Sequence, residues 1–199
     1  MCELTTPMIR VRVEPDRSAE NPREAFDNLG TMVTWGRRYA LGDPHDFVDP
    51  VDFADAVTDR NAVILPVYVY DHSVVLVSTR SFLGRAPHAE WDSGQVGYIY
   101  VTKARLRQEY SVRRVTRAIR ARAEAVLEAE VEQYSDYLRG AVYGYIVEAV
   151  RDCPTCGQED AEILDSCWGF YGADPEQNGM ADEVEPEYRA ALLEACAYA

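Results

Sequence analysis

The sequence predicts an α+β fold in which a mixed or mostly antiparallel sheet of about five to seven strands packs against one long helix and several shorter helices. Two runs rich in β-branched and aromatic residues follow each other closely at 62–70 and 73–79. Apolar residues recur at helical spacing over 112–138, and a second pair of apolar runs follows at 142–150 and 161–171. Since 199 residues can bury one sizeable core, we expect a single domain that comprises the whole chain.

The N-terminal part of the chain predicts short elements separated by turns. Apolar and charged residues alternate over 9–13, which is typical of a half-buried strand at or near a sheet edge. Asn21 and Pro22 are the residue types preferred at the N-cap and the first position of a helix, so a short helix is expected there. The apolar run 31–35 fits a brief strand or a buried loop. Aspartates are frequent over 43–59, but their spacing lacks the EF-hand pattern, so we expect turns and a short helix there.

The middle of the chain predicts a β-hairpin and a third strand. Asp71 and His72 separate the first two apolar runs and would form a tight turn. Pro66 lacks a backbone N–H group, which predicts an edge position or a bulge in the first of these strands. The segment 91–97 (WDSGQVG) places two glycines before a β-branched and aromatic run, which predicts a tight backbone corner at the head of a strand over 96–101.

Helices are predicted after this third strand and at the end of the chain. Thr102 can cap a short helix over 103–108, and the long helix follows. The first half of the long helix carries arginines and its second half glutamates, which opposes the helix macrodipole at both ends. We expect that these arginines either contact a partner or pair with the acidic C-terminal part of the chain. After the second hairpin, an acidic loop over 173–185 leads to an amphipathic helix over 186–198.

Charge is distributed unevenly along the chain. The net charge is −14, and residues 124–199 alone carry 18 acidic and three basic residues. Residues 103–122 have the opposite bias, with eight basic residues and one acidic residue. An acidic surface can serve solubility alone, as a solvated face. It also repels phosphates and attracts basic surfaces, so the alternative is a basic protein partner, and the composition argues against direct nucleic-acid binding.

The sequence also bears on the location of the protein. Its apolar runs are far shorter than the roughly 20 residues that cross a bilayer, so we expect no membrane association. The N-terminus lacks a basic start followed by an apolar run, so no secretory signal is expected. We therefore expect a cytoplasmic protein in which the five cysteines stay reduced.

Three polar stretches, each at a predicted strand end or turn, are candidate pocket residues because loops on a rigid sheet often carry binding groups. The residues are Asp71, His72, Ser73, Trp91, Asp92, Ser93, Gln95, Asp165, Ser166, Cys167 and Trp168. If the stretches meet, His72 is the candidate general base, and Asp92 or Asp165 would orient it. Ser93 or Cys167 is then the candidate nucleophile. The same residue types also satisfy backbone amides in ordinary turns, so the sequence leaves open whether the protein is an enzyme.

The segment 153–157 (CPTCG) has the spacing of a zinc knuckle, in which two thiolates face one ion. A tetrahedral site needs two more ligands, and the chain has no second Cys-x-x-Cys motif. We expect no cofactor; zinc bound by Cys153 and Cys156, a redox dithiol and a plain turn are the alternatives for this segment.

Six segments together resemble a family of small proteins encoded by bacteriophages and related mobile elements. They are 21–24 (NPRE), 27–33 (DNLGTMV), 38–43 (RYALGD), 70–73 (YDHS), 91–97 (WDSGQVG) and 165–172 (DSCWGFYG). The resemblance covers most of the chain and implies a setting, the cytoplasm of a host cell, rather than an activity. Similar proteins have a plain acidic turn in place of the Cys153 to Cys156 segment, which weakens the zinc alternative.

The favoured function is a phage-encoded interaction protein that binds a host factor and inhibits or redirects it, in counter-defence or host takeover. Its acidic C-terminal half would attract the partner and stand in for nucleic-acid phosphates. The alternative is a binding protein or hydrolase for a small polar or nucleotide-like ligand, with a pocket at the Asp71, Asp92 and Asp165 turns. A structural part of the virion is less favoured, because the chain has no internal repeat.

Overall fold

A computed structural model describes residues 6–36, 38–153 and 156–197. In chain order its elements are β1 (Met8–Pro15), α1 (Pro22–Ala25), β2 (Thr31–Thr34), α2 (Pro50–Ala56), β3 (Ala62–Asp71), β4 (Val75–Ser78), α3 (Ala89–Asp92), β5 (Ser93–Thr102), α4 (Lys103–Glu109), α5 (Arg117–Leu138), β6 (Val142–Asp152), β7 (Glu159–Tyr171), α6 (Met180–Glu183) and α7 (Arg189–Cys196).

The chain divides into two compact units. The terminal unit combines Met1–Glu20 with Gly140–Ala199, and the central unit is Asn21–Arg139. The terminal unit holds a sheet of order β1-β6-β7 and the central unit a sheet of order β2-β5-β3-β4, with all strand pairs antiparallel. The predicted α+β class, the number of strands and both hairpins are therefore confirmed, although the strands form two sheets. That the chain is a single domain stays a prediction.

Helices cover both faces of the central sheet. Alternate residues of β5 point to opposite faces, so Ile99 packs in the core beneath α5 while Tyr98 packs against α2. On α5, Leu127 and Val131 are buried at helical spacing against the sheet. On the other face, the ring of Phe53 from α2 stacks on Tyr98 with a centroid separation of 5.0 Å. The strand β5 is therefore buried on both sides.

The long helix α5 begins later than its apolar periodicity predicts. Ser111 has a φ of 51°, in the left-handed region that ends helical geometry for most residues. The hydroxyl of Thr116 then accepts a hydrogen bond from the N–H of Ile119 at 3.3 Å and caps a new helix from Arg117. Local turn geometry and capping, which periodicity does not record, thus set this boundary.

Pro66 lies in β3 at a position that has no paired residue in β4. It is opposite Tyr98 of β5, whereas the pairing of β3 with β4 starts only at Tyr68. The register between β3 and β5 shifts between Val67 and Tyr68. Of the two predicted alternatives, the bulge is present beside Pro66, whereas β3 is an inner strand of its sheet.

The predicted backbone corner at segment 91–97 is wrong. Strand β5 already begins at Ser93, so Gly94 and Gly97 lie inside it, and neither has a positive φ. A Cβ atom on Gly97 would overlap the carbonyl oxygen of Val33 in β2. Gly97 is therefore required by the close approach of a neighbouring strand, and the left-handed residue before the strand is His88, with a φ of 52°.

A buried ion-pair network joins the segments 21–24, 27–33 and 38–43. The side chain of Arg23 is 1% exposed and donates two hydrogen bonds to Asp43, at 2.9 and 2.5 Å. It also donates to Glu130 of α5 at 3.0 Å and to the carbonyl of Gly30 at 2.7 Å. Burial by itself lowers the pKa of Arg23, but the bonds and charges of Asp43 and Glu130 outweigh it and raise this pKa.

The two carboxylates of this network also hold the backbone between α1 and β2. Glu130 accepts from the N–H groups of Leu29, at 2.6 Å, and Gly30, at 3.1 Å. Asp43 accepts from the N–H of Met32 at 2.7 Å. These contacts give segments NPRE, DNLGTMV and RYALGD a structural role, because they satisfy backbone donors that burial would otherwise leave unpaired.

In the terminal unit, α6 and α7 cover one face of the sheet. Tyr145 and Val147 of β6 are buried against Met180 and Leu192 from these helices. On the opposite face, the carboxylate of Glu148 accepts hydrogen bonds from the guanidinium groups of two β1 arginines, at 2.9 and 3.0 Å. The hydrogen bonds from these arginines hold the pKa of Glu148 below its ordinary value.

Candidate functional site

The central unit brings two of the three predicted polar stretches together. His72, in the turn between β3 and β4, has its Nδ1 atom 2.7 Å from Oδ2 of Asp92, the last residue of α3. The His72 side chain is largely exposed and Asp92 is half-buried. A carboxylate at Nδ1 fixes the ring orientation and leaves Nε2 as the second nitrogen, which is the base-and-orienter arrangement that the sequence predicts for these two residues.

Aromatic rings support this histidine. The His72 ring stacks on His88 with centroids 5.8 Å apart and on Tyr70 with centroids 6.0 Å apart. Tyr70 in turn stacks on the buried ring of Phe82 at 5.5 Å. The left-handed backbone of His88 precedes α3, so the loop before this helix positions both His88 and Asp92. Trp91, between them, projects outward and is 83% exposed.

The remaining predicted residues of the central unit make local contacts. Asp71 accepts hydrogen bonds from Arg38 at 2.7 Å and from the Tyr39 hydroxyl at 3.3 Å. The hydroxyl of Ser93 donates to the carbonyl of Ala89 at 2.6 Å. Ser93, the predicted nucleophile in this unit, is thus engaged at the end of α3. The described contacts therefore orient His72 as a base but place no activated nucleophile beside it. Ser73 is exposed in the same turn as His72.

Two cavities of the central unit lie away from this pair. One of about 350 Å³ lies between β4 and α5 and is lined by Phe82, Arg85, Ser135 and Arg139 among others. A second, of about 330 Å³, is lined by Gln95 together with Trp35, Pro50 and Val96–Tyr98. Neither of these two cavities is lined by His72 or Asp92.

The third polar stretch belongs to β7 of the terminal unit. The Tyr145 hydroxyl donates to Asp165 at 2.9 Å. Burial, together with this hydrogen bond to a carboxylate, raises the pKa of Tyr145. Cys167 packs beside the core of this unit, whereas Ser166 and Trp168 are exposed. That this stretch meets the His72 turn stays a prediction.

The zinc alternative also stays a prediction. Cys153 is buried and Cys156 is exposed, and the two residues between them lie outside the described part of the chain. In the ranges 6–36, 38–153 and 156–197, no cluster of three or more His, Cys, Asp or Glu side chains could hold a metal ion.

The structure reveals an exposed strand edge that the sequence pattern does not identify. Among the described strands, β7 pairs with β6 on one side and is the last strand of its sheet. It exposes Ile163, Leu164 and Trp168 by 61%, 44% and 43%. The Trp168 ring lies against Gly144 of β6, where a Cβ atom would overlap it. The sequence does place apolar residues among acidic ones over 159–165, which indicates an exposed strand. That this strand lies at the edge of its sheet depends on the strand order, which the sequence pattern does not show.

Among the described helices, none has the length and apolar character needed to cross a bilayer. Comparison with protein-family models, with curated proteins and with solved structures finds no match to this chain.

Proposed function

We propose that this protein acts by binding a basic protein segment along the exposed edge of β7. The single observation that carries this proposal is a 13-residue edge strand that exposes three large apolar side chains within an acidic unit. An extended peptide can add to such an edge through backbone hydrogen bonds, and its side chains then contact those of the edge strand. Exposed Ile163, Leu164 and Trp168 would supply the apolar contacts.

Charge determines which segment the edge accepts. The terminal unit carries 17 acidic and five basic residues, a net charge of −12, whereas the central unit carries 17 and 15. Glu159, Asp160 and Glu162 are exposed along β7 itself. An unpaired edge is a liability for aggregation, and carboxylates on it repel a second acidic strand while they attract a basic one. The edge is therefore protected against self-association and open to a positively charged partner.

The partner class follows from this chemistry and from the resemblance to phage-encoded proteins. A host protein with a basic nucleic-acid-binding surface presents the complementary charge, and an acidic face competes with phosphates for it. Occupation of that surface would inhibit or redirect the host protein, as in counter-defence. In this proposal the protein is a binding protein and not an enzyme.

Affinity capture from host lysate tests the proposal with a matched pair of variants. Asp160→Lys/Glu162→Lys reverses two charges on β7, and Glu187→Lys/Glu194→Lys reverses two exposed charges elsewhere in the same unit. We expect the wild type and the second variant to retain a basic nucleic-acid-binding protein that added duplex DNA releases. The β7 variant should lose it. Equal capture by both variants, or no basic protein retained, would contradict the proposal.

A second candidate function rests on the 2.7 Å contact between His72 and Asp92. An oriented histidine beside exposed Trp91 and Ser73 suits a small polar, nucleotide-like ligand, since the indole can stack on a base and the imidazole can bind a phosphate. Thermal-shift titration with nucleotides tests this candidate. A ligand at 100 times its Kd should stabilise the protein by about 2.7 kcal/mol. The shift should vanish in His72→Gln, and a set of nucleotides without any saturable shift would exclude the candidate.

A further inference from the structure

The segment 107–122, which runs from α4 through the following turn into the start of α5, carries a group of exposed arginines. We call Arg107, Arg113, Arg114, Arg117 and Arg122 the arginine surface. All five are exposed, and within the described residues no carboxylate oxygen lies within 4 Å of their guanidinium nitrogens. Arg122 lies over the ring of Tyr110, 5.0 Å from its centroid.

The other three basic residues of 103–122 have structural partners. Lys103 donates to the carbonyls of Asp59 and Arg60, at 2.7 and 3.0 Å. Arg105 pairs with Asp27 at 3.3 Å, and Arg120 pairs with Glu124 at 2.9 Å and with Asp59 at 3.2 Å. The central unit thus pairs Arg105 and Arg120 with carboxylates and holds Lys103 on backbone carbonyls, whereas the arginine surface has no carboxylate partner within the described residues.

Backbone geometry concentrates this charge at one place. The N–H of Val112 donates to the carbonyl of Arg107 at 3.0 Å. This hydrogen bond closes a compact turn, and Arg107 and Arg113 lie at its two ends. Arg117 is the first residue of α5, whose first turn contains no acidic residue. A cation near the positive end of a helix dipole is electrostatically unfavourable. The arrangement therefore opposes folding, and an anionic partner would remove that cost.

We propose that the arginine surface binds the phosphate backbone of double-stranded nucleic acid. None of the exposed large apolar side chains lies in 103–122, so the surface lacks the apolar anchors of a protein interface. Tyr110, its aromatic residue, is half-buried under Arg122 and offers no open ring for unstacked bases. Backbone phosphates of a duplex need only closely spaced cations. That these five residues are arginine rather than lysine does not itself indicate phosphate binding, because 19 of the 20 basic residues in the chain are arginine.

This inference differs from the expectation drawn from total charge, which argued against direct nucleic-acid binding. The terminal unit accounts for −12 of the net charge of −14, so the total mainly describes that unit. Charges act over a Debye length of about 8 Å at physiological ionic strength, so binding depends on the local surface. The arginine surface is also independent of the proposed binding edge of β7, because it consists of different residues in a different unit.

Fluorescence anisotropy of the full chain with a labelled duplex of about 20 base pairs tests the proposal. If all five arginines contact phosphates, log K should fall with log salt with a slope of about −4.5, which is roughly a 500-fold loss of affinity from about 50 to 200 mM salt. Arg113→Glu/Arg114→Glu/Arg117→Glu should abolish most binding. The matched control is Arg38→Glu/Arg80→Glu/Arg85→Glu, which changes charge equally at exposed sites of the same unit and should keep the slope.

Urea titration of both triple variants provides the folding check. The arginine-surface variant should leave the midpoint unchanged, because Arg113, Arg114 and Arg117 make no ion pair within the described residues. The control variant should shift it only slightly, because it loses the exposed pairs of Arg38 with Asp71 and of Arg80 with Glu128. Absence of duplex binding at low salt would overturn the proposal. Equal loss of binding in both variants would also overturn it, since charge alone would then account for the effect. Tighter binding of polyglutamate than of duplex at equal charge would assign the surface to an acidic protein instead.

Discussion

Replacing Arg23 with methionine is expected to destabilise the central unit by about 3–5 kcal/mol, the usual cost of removing one partner from a buried ion pair. The Arg23 side chain is 1% exposed, while Asp43 and Glu130 are 17% and 10% exposed. Methionine fills much of the same volume, so the variant chiefly removes charge and four hydrogen bonds. Two carboxylates then remain close together in a poorly solvated site without a cation.

Urea unfolding followed by circular dichroism measures this effect. At a slope of about 2 kcal/mol per molar urea, a loss of about 4 kcal/mol lowers the midpoint by about 2 M. The control is Arg38→Met, because Arg38 also pairs with an aspartate, Asp71, but is 75% exposed. Exposed pairs contribute about 0–1 kcal/mol, so the control should shift the midpoint by less than about 0.5 M. Similar small shifts in both variants would refute the structural role assigned to the network.

A rescue variant separates charge from volume. Adding Glu130→Gln to Arg23→Met removes one of the two uncompensated carboxylates while the new amide can still contact the backbone at Leu29. We expect the double variant to be more stable than Arg23→Met alone, because the two residues interact directly at 3.0 Å. Additive losses would mean that the guanidinium acts by packing alone.

Three further results are expected. Gly97→Ala should cost about 1–3 kcal/mol in urea unfolding because its Cβ overlaps the carbonyl of Val33, whereas Gly94→Ala, in the same strand with open space around it, should change stability little. Glu148→Gln should lower stability by a constant amount between about pH 7 and 5, and the difference from wild type should vanish as the pH falls well below about 4.3. The hydrogen bonds that lower the pKa of Glu148 stabilise the folded state only while the carboxylate is charged. Tyr145→Phe should reduce the loss of stability above about pH 10 in alkaline unfolding scans. The pKa of Tyr145 is higher in the folded protein than in the unfolded chain, so at alkaline pH the phenol ionises more readily after unfolding. Ionisation therefore favours the unfolded state of the wild type, and phenylalanine removes this contribution.

Local signals in the sequence determined most of the secondary structure. Asn21 and Pro22 start α1, the β-branched runs form the β3–β4 hairpin, and Pro66 lies beside a bulge. These features depend on backbone chemistry within a few residues, which the sequence records directly. The boundaries of α5 and β5 were less predictable, because a left-handed residue and strand pairing move them without changing the apolar period.

The candidate site was predictable in part. The sequence placed His72 and Asp92 at strand ends or turns and left open whether they meet. Their contact at 2.7 Å follows from the pairing of β3 with β5. The sequence also suggested that the glycines of segment 91–97 form a corner, but Gly97 instead makes room for β2. A glycine that permits a turn and a glycine that permits close approach look alike in sequence, since both lack only a Cβ atom.

The sequence by itself determined the α+β class and the strong separation of charge between the acidic C-terminal part and residues 103–122. Only the tertiary structure decided which of those charges are used internally. It paired Arg23 with Asp43 and Glu130, residues 20 and 107 positions away, and left Arg113 and its neighbours exposed. Ion pairing and edge position depend on distances through space between residues far apart in the chain, and the local pattern of residue types carries no record of those distances.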